Sequence, residues 1–210
     1  LGAINALGGA FVAAFAAAIT VYWMTKAGLP VSTSQAIVGA IIGWNMFSGS
    51  PTDSQTLIKI LTTWVACPIL AALIAAPLFK MTQAYLRWAK FHILRLDAYT
   101  RAALIFAGAF GAYSLGANNI ANVMGVFVGV SPFSDFEITH YLTFTSVQQL
   151  FLLGAISIAV GVFTYSKKVM LTVGSDILPL SPVAAWVVVI AHSIVLFMFA
   201  SQGLEAFLKG

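Results

Sequence analysis

Residues Ser114 to Gly129 read Ser-Leu-Gly-Ala-Asn-Asn-Ile-Ala-Asn-Val-Met-Gly-Val-Phe-Val-Gly. Asn118, Asn119 and Asn122 stand here in a stretch otherwise apolar enough for lipid. An unpaired amide in hydrocarbon costs several kcal/mol, so these side chains require either close protein packing or a polar ligand. The preceding Ala102–Tyr113 and the following Ile120–Val130 are apolar, and neither alone is long enough to cross a bilayer. Together they read as one span, and Gly116 predicts an unwound break near its middle, with free carbonyls on one side and amide groups on the other.

The rest of the chain fits a membrane setting. Of 210 residues, 60% are hydrophobic and only 8% are charged, with a mean hydropathy of +0.97; in soluble domains about a quarter are charged. The apolar character runs over the whole length, which excludes a secretory signal as its source. The single Cys67 reads as a packing residue. The net charge of +4 suggests an affinity for anions or nucleic acid, but five of the ten basic residues, Lys80, Arg87, Lys90, Arg95 and Arg101, fall between two apolar segments. By the positive-inside rule that segment is expected in the cytoplasm, and no nucleic-acid partner is implied.

Taken in order, Leu1–Thr25 is a span whose only amide is Asn5, either interfacial or a ligand. Gly28 and Pro30 end it, and Ser32, Thr33, Ser34 and Gln35 then precede the apolar Ala36–Trp44. Proline cannot continue a helix and Ser or Thr favours a helix start, so a new helix begins here. Its apolar part is too short to span alone. It is either a half-helix starting inside the membrane or a helix capped at the surface. Gly39 and Gly43 form a GxxxG pair that allows close helix approach. Asn45–Gln55 is expected to be a loop. Leu57–Phe79 is a span that Pro68 and Pro77 can kink, and Lys80–Arg101 is a helix end followed by an interfacial segment in which His92 faces solvent. Ser131–Thr139 is expected outside. Tyr141–Phe163 is a span with Gln148 and Gln149 as interhelical contacts, Lys167 and Lys168 mark a return to the cytoplasm, and Met170–Pro182 is interfacial. Val183–Leu208 is the last span. Its His192 is either a proton carrier or a hydrogen-bonded packing residue.

The resulting topology makes Leu1–Thr25 and Val183–Leu208 run in opposite directions, yet both end alike: Met24-Thr25-Lys26-Ala27-Gly28 and Ala206-Phe207-Leu208-Lys209-Gly210. The expected fold is thus an all-α, polytopic integral membrane protein with inverted-topology repeats and discontinuous helices. Residues 1–97 would be the later part of the first repeat plus a basic linker, and 98–210 the earlier part of the second. Because the chain opens on Leu1 and closes just after an apolar span, it is expected to be a fragment lacking both ends.

Two segments carry a family likeness. Gly28-Leu29-Pro30-Val31-Ser32-Thr33-Ser34-Gln35-Ala36 with Val38-Gly39-Ala40 resembles one signature of the inorganic phosphate transporter (PiT) family, which includes related sulfate permeases. Gly116-Ala117-Asn118-Asn119-Ile120-Ala121-Asn122 resembles its second signature, usually Gly-Ala-Asn-Asp with an asparagine three places on. The likeness extends through Lys168-Val169-Met170 and Thr172-Val173-Gly174. It implies import of a tetrahedral oxyanion coupled to Na+ or H+, across the cell membrane, with both motifs near the membrane midplane and no cofactor beyond the coupling ion.

The residue chemistry is consistent with this. Ser32, Thr33, Ser34, Gln35, Asn118, Asn119 and Asn122 offer neutral donors to an anion, and a helix N-terminus adds about half a positive charge. A hard cation would draw on unwound carbonyls and on the side-chain oxygens of Asn118, Asn119, Asn122 and Gln148. Asn119 stands where the family commonly has aspartate, which weakens a cation site and leaves sulfate as the alternative to phosphate. The only carboxylate inside the spans is Glu205. Lipid and a homo-oligomeric partner are the other expected associations. An intramembrane enzyme using Ser32 or His192 is the competing class; no base or carboxylate neighbours the serine in sequence, and the histidine has no metal-ligand spacing.

Overall fold

The computed structural model describes residues 7–139, 142–177 and 180–200. Asn5, Glu205 and the closing Ala206–Gly210 of the repeat comparison lie outside the described residues. The elements are α1 (Leu7–Ala27), α2 (Thr33–Ser48), α3 (Ser54–Ala89), α4 (Ile93–Val128), the hairpin strands β1 (Phe136–Thr139) and β2 (Leu142–Phe144), α5 (Ser146–Leu171), a π-helical turn Thr172–Ile177, and α6 (Pro182–Ala200). Three of the described helical segments, Leu7–Ala27, Ser54–Ala89 and Ser146–Gly174, are long and apolar enough to cross a membrane. Among the described residues the fold is therefore all-α apart from one short hairpin.

Two compact units divide the chain: Leu1–Leu57 with Asn119–Leu178, and Ile58–Asn118 with Pro179–Gly210. Each unit draws on two separate stretches of sequence.

In the first unit, α1 stops where the sequence predicts. The N–H of Gly28 donates to Thr25 O at 3.0 Å and that of Leu29 to Met24 O at 2.9 Å. With Gly28 at φ +77°, this pair of bonds closes the helix end in a Schellman turn, and Pro30 prevents any continuation. Small side chains then let α2 approach. Ala10 and Ala13 are fully buried against Ala40, Ile41, Trp44, Val126, Phe127 and Val130, and Phe11 meets Phe127 edge to face at 5.3 Å. On α5, Gly154 makes room for Met124 and Ile120, whose atoms lie 2.6–3.0 Å from where a Cβ would stand.

Helix α2 is longer than its apolar run. It extends through Asn45–Ser48, residues expected in a loop, and ends at Gly49 with φ +70°. The reason is that Asn45 is only 3% exposed and has a partner, its Nδ2 donating to Thr52 Oγ1 at 3.2 Å. At 16 residues α2 is about 24 Å long, still short of a core of roughly 30 Å.

Asp53 starts α3. Its carboxylate accepts from Thr56 Oγ1 and from the backbone N–H groups of Thr56 and Gln55. The Thr56 hydroxyl above all, then its N–H, holds the Asp53 carboxyl below the ordinary value of 3.8. A depressed folded-state pKa means that the cap's contribution is complete above the unfolded value and is lost as pH falls through the folded one. Thermal unfolding of the wild type is therefore expected to weaken below about pH 4 more steeply than that of Asp53→Asn, whose amide oxygen caps without titrating. Equal slopes for the two would remove the carboxylate from the effect.

Two expectations are corrected around the basic segment. Helix α3 does not end at Phe79 but continues to Ala89, through Pro68 and Pro77, and α4 already begins at Ile93. Each is 36 residues, about 54 Å, so their charged ends are helix extensions and not a separate interfacial segment. His92 does more than face solvent: its carbonyl accepts from Arg95 and Leu96 N–H, and its Nδ1 accepts from Leu94 N–H at 3.4 Å.

In the second unit, the early part of α4 packs on α6. Ala107, Val187, Ala191, Ser193 and Val195 are each 1% exposed, and a Cβ at Gly111 would lie 3.1 Å from both Ser193 Oγ and Val189 Cγ1. His192, on the same helix, is exposed within the described residues.

Ser131–Thr145 forms more than a loop. Within its hairpin Phe136 pairs with Phe144 and Glu137 with Thr143. Asp135 Oδ1 accepts from Ser146 N–H at 2.7 Å, tying the hairpin base to the start of α5. The glutamines serve this junction rather than helix contacts: Gln149 donates to the carbonyls of Ser134 and Phe144, and Gln148 completes a capping box with Thr145.

Candidate anion-binding site

The two asparagine- and serine-bearing motifs, far apart in sequence, meet through side chains. Thr33 Oγ1 donates to Asn119 Oδ1 at 3.2 Å, and Asn122 Nδ2 donates to Ser34 Oγ at 2.6 Å. The register follows from helix geometry. Asn119 and Asn122 are three residues apart on α4 and so share a face, where they meet two successive residues in the first turn of α2.

The same geometry explains the correction to α4. This helix runs unbroken from Ile93 to Val128, with no unwound turn at Gly116 and no free carbonyls there. Glycine permits a break but does not require one. Once the side chains of Asn119 and Asn122 have partners on α2, the backbone gains nothing by giving up its own hydrogen bonds.

Ser32 is the N-cap of α2, at φ −86° and ψ 115°, with its side chain accepting from Gln35 N–H at 3.3 Å. Gln35 thus contributes its backbone to the cap, while its side chain is exposed. The N–H groups of Thr33 and Ser34, within the first turn, have no intrahelical acceptor by construction. They bring the positive end of the helix dipole, about half a charge, to the place where the side chains cluster.

Each partner keeps polar groups in reserve. Asn119 uses its oxygen and keeps its NH2; Ser34 accepts and keeps its O–H; Asn122 keeps its oxygen and one N–H. Thr33, Ser34, Asn119 and Asn122 are all half-buried, so the remaining groups can reach a ligand. The cluster offers several neutral donors and one free amide oxygen, suited to an oxyanion. Among the described residues no three His, Cys, Asp or Glu side chains group together; any cation held here must rely on neutral oxygens.

Not every expected residue joins. Asn118 is exposed and lies about 100° around α4 from Asn119, off the face that meets α2. Gln148 is exposed, and its Oε1 accepts from Thr145 N–H at 3.0 Å, leaving it a cap and not a member of the cluster. A tie overlooked in the sequence does emerge nearby: Lys168 Nζ donates to Lys26 O at 2.8 Å, satisfying a carbonyl in the last turn of α1. The signal for it was the free last-turn carbonyl that every helix end leaves.

The sequence matches the phosphate transporter family over residues 3–205. A protein of Methanocaldococcus jannaschii named "Putative phosphate permease" is 26% identical, the match covering 93% of this chain and 57% of that protein. One of the same name from Pyrococcus furiosus is 24% identical over 82% of this chain and 58% of its own length. A sulfate permease of Bacillus subtilis is 27% identical over 77% of this chain and 42% of its own. The chain thus spans about half the length of these curated relatives, and no solved structure matches it significantly. With a family match over nearly its whole length and three helical segments fit to cross a bilayer, this chain belongs to the phosphate transporter family and is a multi-pass membrane protein.

Proposed function

We propose that the protein containing this chain is a secondary transporter that imports inorganic phosphate in symport with a cation, Na+ or H+, and that the α2 N-terminus with Asn119 and Asn122 is one side of its anion site. The observation that carries this is the pair of hydrogen bonds joining Thr33 to Asn119 and Ser34 to Asn122. They set neutral donors beside a helix N-terminus without a buried lysine or arginine. Neutral donors hold an anion weakly enough to release it, which a transporter needs as much as capture. The wider reading is an inverted repeat, whose second copy would supply the facing half of the site. The names of the phosphate-permease relatives support the substrate.

A sulfate substrate is the second reading, favoured by Asn119 and by the sulfate permease among the relatives. Hydrogen phosphate carries a proton that seeks an acceptor, and sulfate carries none. The enzyme reading has less support: Ser32 Oγ is engaged as a helix cap, and the matching family and the relatives carry transporter and permease names.

Uptake of labelled phosphate and sulfate into vesicles bearing the full-length protein, with Na+ and H+ gradients imposed separately, is the direct test. Phosphate accumulation driven by one gradient is expected; no gradient-driven uptake of either anion would remove the proposal. In the same assay Asn119→Asp is expected to raise the phosphate-to-sulfate ratio several-fold and to steepen the cation dependence. A carboxylate can still accept from Thr33, while adding an acceptor for the phosphate proton and a hard ligand for the cation. An unchanged ratio would show that Asn119 does not select the anion.

A further inference from the structure

We propose that the cleft between the last turn of α1 and the end of α5 is a second anion site, separate from the transport motifs, that takes a phosphate group: either an anionic lipid headgroup or free inorganic phosphate. The cleft, about 410 Å³, is lined by Thr25, Lys26, Thr164, Tyr165, Lys167, Lys168 and Leu171. Three of these seven are lysines and none is acidic. Adjacent residues on a helix point about 100° apart, so Lys167 and Lys168 reach the cleft from two directions while Lys26 closes it from α1.

The surroundings prepare the lysines for an anion. The negative end of the α1 dipole would repel one, but Lys168 Nζ already caps Lys26 O at 2.8 Å and keeps two N–H donors in reserve. The Lys26 ammonium lies 5.5 Å from the centre of the Tyr22 ring, and Tyr22 in turn packs edge to face on Tyr165 at 6.2 Å. This aromatic pair braces one wall. Lys167 has no hydrogen-bond or ion-pair partner among the described residues.

The position also gives the site a consequence. Gly28, with φ +77°, is held beside Lys168, whose Cε would lie 3.0 Å from an added Cβ. Gly28 is four residues before Ser32, the cap of α2. An anion that draws the Lys168 ammonium off the Lys26 carbonyl would loosen the turn on which the α2 motif is mounted. Occupancy of the cleft is therefore linked to the geometry of Thr33 and Ser34.

Amine labelling of the full-length protein, read residue by residue by mass spectrometry, tests this without relying on transport. The protein is placed in vesicles of phosphatidylcholine, of phosphatidylcholine with phosphatidylglycerol, and of phosphatidylcholine with added inorganic phosphate at constant ionic strength. Rates at Lys26, Lys167 and Lys168 are normalised to Lys80 and Lys90, which sit on the other unit. Protection of at least about fivefold, the effect of roughly one lysine's attraction to an anionic surface, is expected at all three. Protection by phosphatidylglycerol identifies a lipid headgroup, and protection by inorganic phosphate a free anion. Lys167→Gln, which leaves the Lys168 tie intact, is expected to restore labelling of Lys26, whereas Lys59→Gln, a lysine of the other unit, is expected to leave protection unchanged. No protection beyond that of Lys80 and Lys90, or protection of Lys26 that survives Lys167→Gln, would overturn the proposal. Protection intact with no gradient-driven uptake of either anion by the wild-type protein would count against the transport reading alone.

Discussion

Asn122→Ala in the full-length protein is expected to reduce phosphate uptake roughly ten- to a hundredfold at matched expression, the effect of leaving a half-buried polar group without its partner at about 1–3 kcal/mol. Asn122 donates to Ser34 Oγ at 2.6 Å, the shorter of the two bonds between α4 and the first turn of α2. Without it the Ser34 hydroxyl must find another partner, and one of the two pins that hold the α2 N-terminus toward the asparagines is gone. The loss is expected chiefly in apparent affinity, because the removed donor orients the site. Ser34→Ala should cost a similar amount, and the double variant little more than either alone, since both delete the same bond. Uptake within twofold of wild type for both single variants would mean that the bond is a packing contact unrelated to the anion.

Gly9→Ala is expected to destabilise the first unit by about 1–3 kcal/mol, the usual cost of overpacking, and to lower the yield of folded protein in detergent. A Cβ at this position would stand 2.5 Å from Trp44 Cε2 and 2.6 Å from Cζ2. An indole is flat and rigid and cannot yield at its tip as a flexible chain can. Alanine would gain roughly 1 kcal/mol in helix propensity over glycine, so the sign depends on the clash outweighing that gain. Gly8→Ala supplies the control, because open space surrounds that position and only the propensity gain remains. Thermal unfolding of the two variants side by side checks the prediction. A Gly9→Ala protein as stable as Gly8→Ala would mean that Trp44 can move aside without loss.

Much of the local structure was legible. Gly28 and Pro30 announced the end of α1, and Ser32 the start of α2, because capping depends on a few residues next to one another. The failures were all judged from neighbours in the chain. The loop expected from Asn45 rested on a polar run with glycine, proline and Asp53, the break expected at Gly116 on a glycine before two asparagines, and the interhelical roles of Gln148 and Gln149 on paired amides inside a span. In each, the partner that meets the amide's cost of burial was missing. Asn45 meets that cost through Thr52, Asn119 and Asn122 through Thr33 and Ser34, and the glutamines through a hairpin base. None of these partners can be read from periodicity. The ends of α3 and α4 were missed for a related reason, since charge marks where a helix leaves lipid and not where it stops.

By itself, the sequence determined that this chain is an α-helical membrane protein, because 60% hydrophobic residues with only 8% charged leave lipid as the fitting solvent and helices as the means of satisfying the backbone within it. It also determined, through two short motifs, the family and the residues to inspect. Only the tertiary structure decided which of those residues meet. Asn119 and Asn122 stand one helical turn apart and meet α2, whereas Asn118 is turned away and Gln148 is committed to a cap. A side-chain hydrogen bond between residues 86 or 88 positions apart depends on how two helices pack, which the sequence encodes only through the packing of the whole unit.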